Sequence, residues 1–575
     1  MQQGPRVRWE VWLAIPTLTV WLVRALVPVA TTWGWDESMH AELPAVRMLL
    51  ALRGGDWAAF TVALAECQQY PFVVPLVLAL AQAVFGIAES VCRTVACALF
   101  GLGLAATWAL AARLARAPAP PAAGARGAGD DRDDARVPAL ALGLGALSPL
   151  ALAYAPTLFL ELPFAALLAL TLGVWIGRRA ADPERARRLA LAAGALATVA
   201  FFTKFNYGVL LWGALAVDLA CDLALALPRR ELRAVVRRDA LLLPIPLLAL
   251  LWWFVAPFPL GGEWAVSHRA AFVGFLTGNT QAAAVPVAHR LLHAASYLCP
   301  SPLAALGIGA GLALSLRHLR RAAVRTVWIA LLVFAGALLA HPFHLDRFLL
   351  PLGPLAWSLA ALGLVAGRSR RAAAVTTALL LVGVAGAPAQ TAWLADRLGL
   401  LPAEPQARAH ARAVLRGWNG MPGARQVPTA GLRREEAQRI LDLLAGELGP
   451  DECVGWLGIS AELSPAALHL GLLERGGSAR RFLEQAHRPL YFWLPHTDPG
   501  WSDEQLAAWA SAFDAIVMTE PPSFKAQPSR EFVRAYQKRL VDELGYRAER
   551  LGTVEIARPP LEPQRVVLHV CRRER

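Results

Sequence analysis

Charge is scarce in this chain. Of 575 residues, 17% are Asp, Glu, Lys or Arg, against about a quarter in a soluble globular protein. With 56% hydrophobic residues and a mean hydropathy of +0.43, that shortage excludes a single soluble globule and a disordered chain. Cysteine is sparse as well, seven residues in 575, which excludes a disulfide scaffold. Lysine is nearly missing: among 56 basic residues only Lys204, Lys525 and Lys538 are not arginine. Beside so much alanine, this reads as coding bias. The sequence has a net charge of +13 and a pI near 10, yet the excess is not spread evenly. Residues 1–390 hold 32 basic and 20 acidic residues, and residues 391–575 hold 24 and 23. The surplus belongs to the apolar part, where short basic loops set membrane topology.

What the chain has in quantity is apolar runs. A bilayer core of about 30 Å takes roughly 20 residues of helix. Such runs lie at 9–31, 71–87, 91–112, 137–154, 158–177, 189–203, 205–224, 240–258, 302–316, 323–340, 347–366 and 372–390. The first is too long for a signal-peptide core and has no clean small-residue cleavage site after it, so it reads as an uncleaved anchor. If 71–87 crosses, every later loop inverts. If it lies flat at the interface, 24 basic loop residues fall on one side and seven on the other: Arg47, Arg53, Arg93, Lys204, Arg269, Arg290 and Arg347. The expectation is therefore a polytopic α-helical membrane protein with about 11 transmembrane helices. Its amino terminus is expected on the inner, cytoplasmic side, and a C-terminal α/β domain outside.

On that topology residues 1–390 are the membrane domain, with external loops at 32–90, carrying two surface helices, and 259–301. Residues 391–575 form a separate external domain, with helices expected at 433–447, 465–475, 503–512 and 529–543. Strands are expected at 453–459, 489–494, 514–519, 547–557 and 565–571. It shows no nucleophile elbow, phosphate-cradling glycine loop or paired metal motif. Cys453 and Cys571 could pair in an oxidising compartment, as could the external Cys67 and Cys299; spacing does not decide. The Ala/Pro/Gly-rich linker 115–136 contains Asp131-Arg132-Asp133, which reads as a solvated charge run on the inner side.

Ionisable residues at or inside membrane helices are costly and so are candidates for function. Asp36 and Glu37 follow the first helix; adjacent carboxylates can serve as a general base and a neighbour that raises its pKa. Alternatively Asp36 caps a surface helix at 38–52. Glu161 is a lone carboxylate in an apolar stretch, in need of a partner or favoured by a helix start. Lys204 could hold a phosphate as a point charge, or snorkel to lipid head groups. Arg347, in His341-Pro342-Phe343-His344-Leu345-Asp346-Arg347, could grip a phosphate by two hydrogen bonds, or pair with Asp346 at the interface. Arg24, within helix 1, needs an anion or a carbonyl. His289 and His293 stand i, i+4 apart without a third metal ligand. Asp36, Glu37, Glu161, Lys204 and Arg347 all land on one membrane face. Two carboxylate centres and two cations there suit a lipid-phosphate donor and a hydroxyl or amine acceptor.

The order of motifs resembles a known superfamily. Asp36-Glu37 is followed by Tyr70-Pro71 opening a surface helix and Arg93-Thr94-Val95 opening the next span, which ends Ala111-Ala112-Arg113-Leu114. Leu147-Ser148-Pro149, Glu161, Thr203-Lys204 and Arg347-Phe348-Leu349-Leu350-Pro351 come after. Over about residues 10–390 this resembles the GT-C glycosyltransferases, in particular bacterial enzymes related to dolichyl-phosphate-mannose–protein mannosyltransferases and aminoarabinose transferases. The resemblance implies inverting transfer of a hexosyl or pentosyl group from a polyprenyl-phosphate sugar to a lipid, glycan or protein acceptor at the outer face. It implies Asp36 as catalytic base with Glu37 beside it, Glu161 as the second acidic position, and Lys204 and Arg347 on the donor phosphate, with His344 and Arg24 as further phosphate candidates. A divalent metal is the one cofactor it leaves open; no metal ligand set is assigned. The chain departs from the pattern at Tyr70-Pro71-Phe72, where His-Pro-Pro is frequent, and at Glu161, where Asp or a pair is usual. The 341–348 stretch resembles a His-Lys-Glu-x-Arg-Phe motif of other mannosyltransferases. The other readings are a transporter or flippase, which calls for inverted repeats not visible here, and a non-catalytic assembly factor. Membrane lipids are expected partners. Nucleic acid is not, since the outside lacks basic runs.

Overall fold

Leucine- and alanine-rich stretches interrupted by Pro and Gly produce a chain that is mostly helical. The computed structural model describes residues 9–27, 37–65, 67, 71–116, 135–228, 230–254, 302–340, 346–366, 371, 374–378, 380, 404–405, 434–449, 452–457, 465–475, 502–521, 527–556 and 564–573. Its helices are α1 (Trp9–Leu26), α2 (Leu43–Arg53), α3 (Trp57–Ala65), α4 (Val73–Phe85), α5 (Glu89–Arg116), α6 (Arg136–Ala146), α7 (Pro149–Tyr154) and α8 (Glu161–Gly177). Then come α9 (Pro183–Phe201), α10 (Phe205–Ala226), α11 (Leu232–Asp239), α12 (Pro244–Phe254), α13 (Pro302–Ser315), α14 (Ala322–Ala340) and α15 (Leu352–Val365). Helices α16 (Arg434–Glu447), α17 (Pro465–Glu474), α18 (Asp503–Ala510) and α19 (Gln527–Asp542) alternate with strands β1 (Val454–Leu457), β2 (Ala515–Glu520), β3 (Tyr546–Ile556) and β4 (Gln564–Arg573). By contact the chain divides into two compact units. One is Met1–Val27, Cys67–Val74 and Arg93–Pro422; the other is Pro28–Glu66, Pro75–Cys92 and Gly423–Arg575.

Four helices of the described residues are long and apolar enough to cross a bilayer: Glu89–Arg116, Glu161–Ala180, Phe205–Ala226 and Ala322–Leu339. Helices α1, α6, α12 and α15 are shorter apolar segments. Helix α4, at 13 residues, is about 20 Å long, short of a 30 Å core. Helix α8 is apolar all round and buried along most of its length, as a central helix must be. Helices α13 and α15 cross at bare backbone. A Cβ added to Gly363 would lie 1.9 Å from the carbonyl oxygen of Gly311, and one added to Gly311 would lie 2.6 Å from that of Ala360. Small residues at such crossings let membrane helices approach closely. Gly363→Ala must push two backbones apart, and overpacking of this kind costs about 1–3 kcal/mol. The melting temperature of the purified protein should fall by about 1–2 °C; no fall would show that the helices separate freely.

The sheet of the other unit runs β1-β2-β4-β3. Strands β1 and β2 are parallel, as a crossover through helices requires. Strand β4 pairs antiparallel with both β2 and β3, so the hairpin β3–β4 closes the sheet. The segment 489–494, expected as a strand, lies outside the described residues. Ser502 and Gln505 make a reciprocal capping box that starts α18. The pairing of Cys453 with Cys571, which the sequence left open, is not what the sheet allows. Cys571 sits opposite Ile516 on one side of β2, and the carbonyl of Cys453 accepts from Ala515 on the other. Two strand spacings are about 9.6 Å, beyond the roughly 7 Å reach of a disulfide, and the two buried cysteines form no disulfide. Cys299 lies outside the described residues.

The sequence also led us to expect a surface helix at 38–52. A π-helical turn, Ser38–Glu42, leads instead into a buried α2, whose Leu43, Val46 and Leu50 join a core made with Leu441, Leu444, Val454, Leu468 and Trp456. In α17 His469 is buried, and burial pushes its pKa down to about 4. The unfolded chain binds that proton near pH 6.5. Below pH 6.5 the unfolded state therefore holds more protons, and stability falls as pH drops from about 6.5 to about 4. The cost reaches about 3 kcal/mol at the acid end. Thermal unfolding at pH 7 and pH 5 should show a smaller acid loss for His469→Gln than for the parent; equal losses would remove His469 from the account.

Candidate functional site

The short segment between α7 and α8 brings the site together. Ser148 caps α7 by accepting from the amide of Ala151. After α7 the chain turns, and Thr157 donates its hydroxyl to the carbonyl of Tyr154 at 2.7 Å. Arg93 of α5, 2% exposed, donates to the carbonyl of Pro156 at 3.0 Å and so pins this turn. Phe159 follows, edge-on to Tyr154, and Glu161 opens α8. A carboxylate in a first turn is favoured by the helix dipole, but this one is fully buried and needs more than a dipole.

Two cations supply it. Lys204, 4% exposed, donates from Nζ to Glu161 Oε1 at 2.6 Å. Arg347, also 4% exposed, places Nε 3.4 Å from the same oxygen. Lys204 has extended backbone between α9 and α10, in a turn that folds back tightly because Gly208 has no side chain: a Cβ there would meet Phe201 at 2.4 Å. Arg347 sits in a 3-10 turn, Asp346–Leu349, with its guanidinium 4.2 Å above the ring of Phe159. Lys204 faces the rings of Tyr207 and Phe348 at 5.3 and 5.6 Å. Beside the lysine turn stands an aromatic cluster of Phe72, Phe201, Phe202, Phe205, Trp252 and Trp253. The amide of Val73 donates to the carbonyl of Phe202 at 3.2 Å.

The electrostatics follow from the count. Two cations face one carboxylate in this buried group, and Glu161 Oε2 is buried without a hydrogen-bond partner among the described residues. Removing one partner of a buried pair strands the other and costs about 3–5 kcal/mol. Two cations in a low-dielectric site are suited to an anion carried in by a ligand. It does not fit a divalent metal: its one carboxylate already faces two cations. Among the described residues no three His, Cys, Asp or Glu converge on a point.

Three of the residues singled out in the sequence are thus in contact: Glu161, Lys204 and Arg347. Arg347 reaches the buried Glu161, a partner that the sequence did not assign to it. Lys204 points to Glu161 and not to a lipid surface. Glu37 is buried at the start of the π-helical turn in the other unit. Arg24 is exposed in the last turn of α1. Asp36, His344, Tyr70, His289, His293 and the Asp131-Arg132-Asp133 run lie outside the described residues.

The sequence reading missed a second charged cluster at the other end of α8. Arg178 donates to Asp239 at 2.9 Å and Asp222 at 3.0 Å, and lies 3.1 Å from the centre of the Trp175 ring. Arg179 reaches Asp218 at 2.6 Å and Asp222 at 2.9 Å. Arg238 and Arg325 also donate to Asp222. Burial raises the pKa of Asp239, but hydrogen bonds from Arg238 and Arg178 outweigh it and hold the carboxyl below its usual range. The available signal was Asp218 and Asp222, spaced i, i+4 inside an apolar run.

No family model matches the chain, and comparison with curated proteins finds no match. Solved structures do match. ArnT from Cupriavidus metallidurans in the apo state is 14% identical, with a TM-score of 0.57 over 97% of each chain. ArnT from the same organism bound to undecaprenyl phosphate is 14% identical, with a TM-score of 0.58 over 98% of each chain. The likeness is one of fold. It spans both units.

Proposed function

We propose that this protein is a membrane glycosyltransferase that moves a sugar from a polyprenyl-phosphate donor to an acceptor at the outer face of the bacterial inner membrane. The observation that carries the reading is the buried Glu161–Lys204–Arg347 group, with two cations on one carboxylate. The fold it shares with a structure holding undecaprenyl phosphate supports it.

In this reading the donor phosphate lies against Lys204 and Arg347. Asp36 takes the proton of the acceptor hydroxyl or amine as that atom attacks the anomeric carbon from the side opposite the phosphate. The bond from the anomeric carbon to the phosphate oxygen breaks, its electron pair leaves with the polyprenyl phosphate, and the sugar inverts. Negative charge grows on the leaving phosphate, where two fixed cations in a dry site stabilise it most. Glu161 holds both cations in place between turnovers. Helix α4, too short to cross, lies at the interface, and about eleven spans place the carboxyl terminus outside.

The test is donor turnover. The protein reconstituted in vesicles, given polyprenyl-phosphate hexoses and pentoses with crude envelope acceptors, should release polyprenyl phosphate. Folded protein that releases none with any donor of the panel would sink the proposal.

A further inference from the structure

We infer that the ion network at the far end of α8 is the positioning device for the Glu161–Lys204 pair, acting through a fixed register between α8 and α10. The two helices touch at a constant sequence offset. Glu161 meets Lys204, Trp175 donates its indole N–H to Asp218 at 2.7 Å, and Arg179 meets Asp222, each pair 43 residues apart. The rings of Phe164 and Tyr207, 5.3 Å apart, keep the same offset. Positions 161, 164, 175 and 179 fall within about 60° of one another at about 100° per residue, as do 207, 218 and 222 on α10, with Lys204 immediately before its first turn. Helices that meet at one offset over some 18 residues run parallel, without slip, for about 27 Å.

At one end of this ladder Glu161 faces Lys204 and Arg347. At the other, Asp218, Asp222 and Asp239 accept from Arg178, Arg179, Arg238 and Arg325. Thr326 of α14 ties in as well: its hydroxyl donates to Asp218 at 2.8 Å and accepts from Arg179 at 2.7 Å. A one-residue slip of either helix displaces side chains by 1.5 Å and about 100°, enough to break a 2.6 Å contact. This network, tied to α14 as well, therefore fixes the axial position of α8 and α10, and the Glu161–Lys204 contact inherits it. Asp218, Asp222, Arg179 and Thr326 are positioning residues for a site roughly 20–27 Å away.

Thr326→Val is the mildest test, since it removes two hydrogen bonds and no charge; Asp218→Asn is the stronger one. The first measurement is a double-mutant cycle on melting temperature between Thr326→Val and Lys204→Met in the full-length protein. Sites this far apart ordinarily add. Here the double variant should melt about 2 °C or more above the value that summing the two single losses gives, because the first release already frees the register. Additivity within about 1 °C overturns the inference. The activity arm rests on the transferase reading: Thr326→Val and Asp218→Asn should lower kcat for donor turnover about tenfold, with KM little changed, and Thr326→Ser, which keeps the hydroxyl, should restore it. Turnover within twofold of the parent in both variants, beside a lowered melting temperature, also overturns the inference. If the parent protein turns over no donor, the transferase reading fails while the cycle still decides the coupling.

Discussion

Lys204→Met should reduce polyprenyl-phosphate release by about 10²–10³-fold, the range seen when one preorganised donor to a developing anion is lost. The lysine is buried and donates to Glu161, so its removal acts twice. It takes away a charge that would face the leaving phosphate, and it leaves Glu161 to Arg347 alone. The second effect costs stability, of order 3–5 kcal/mol, and a control is required. Glu161→Gln provides one. It breaks the same contact and destabilises comparably, yet it raises the net positive charge of the cluster. If phosphate binding is the role of the cations, Glu161→Gln retains donor binding while Lys204→Met loses it. Equal loss of binding in both, in step with melting temperature, would mean that the cluster is only structural. Lys204→Arg is not a neutral exchange, because a planar guanidinium does not fit where an ammonium donates between the rings of Tyr207 and Phe348.

Asp36→Asn should abolish turnover to the level of about one part in 10²–10⁴, the usual contribution of a positioned general base, while donor binding stays intact. Asparagine keeps the shape of the side chain and cannot accept the acceptor's proton. The informative split is between kcat and affinity: kcat collapses, whereas the affinity for polyprenyl phosphate, held by Lys204 and Arg347, does not change. Turnover that survives the substitution would move the base to Glu37, which is buried beside it in sequence. The pH profile carries the same information, since activity should rise through the pKa of the base and lose that limb in the variant.

Most elements were legible in the sequence because their signals are local. The helix read at 433–447 is Arg434–Glu447, and the strand read at 514–519 is Ala515–Glu520. Both follow from periodicity and turn residues over a dozen positions. The site was legible as a set of polar residues in apolar surroundings, but not as a geometry. Nothing local says that Glu161 and Lys204, 43 positions apart, share a hydrogen bond. The far network escaped for a different reason. Its arginines were read as topology markers, and Asp218 and Asp222 were absorbed into an apolar run, although buried carboxylates there demanded partners. The burial of α2 could not be read at all, because the residues that cover it come some 390 positions later.

That separation has a consequence in time. Leu43, Val46 and Leu50 belong to one core with residues 437–571. A ribosome working at about 5–20 residues per second makes α2 on the order of tens of seconds before its covering helices and strands exist. Through that interval three large apolar side chains on a freshly made loop have no native partner. The cell must shield them, by the lipid surface or by a holding chaperone, or else lose chains to aggregation. Residues 437–571 are thus made well after the helix that they cover, and trimming them away would leave α2 exposed and sticky.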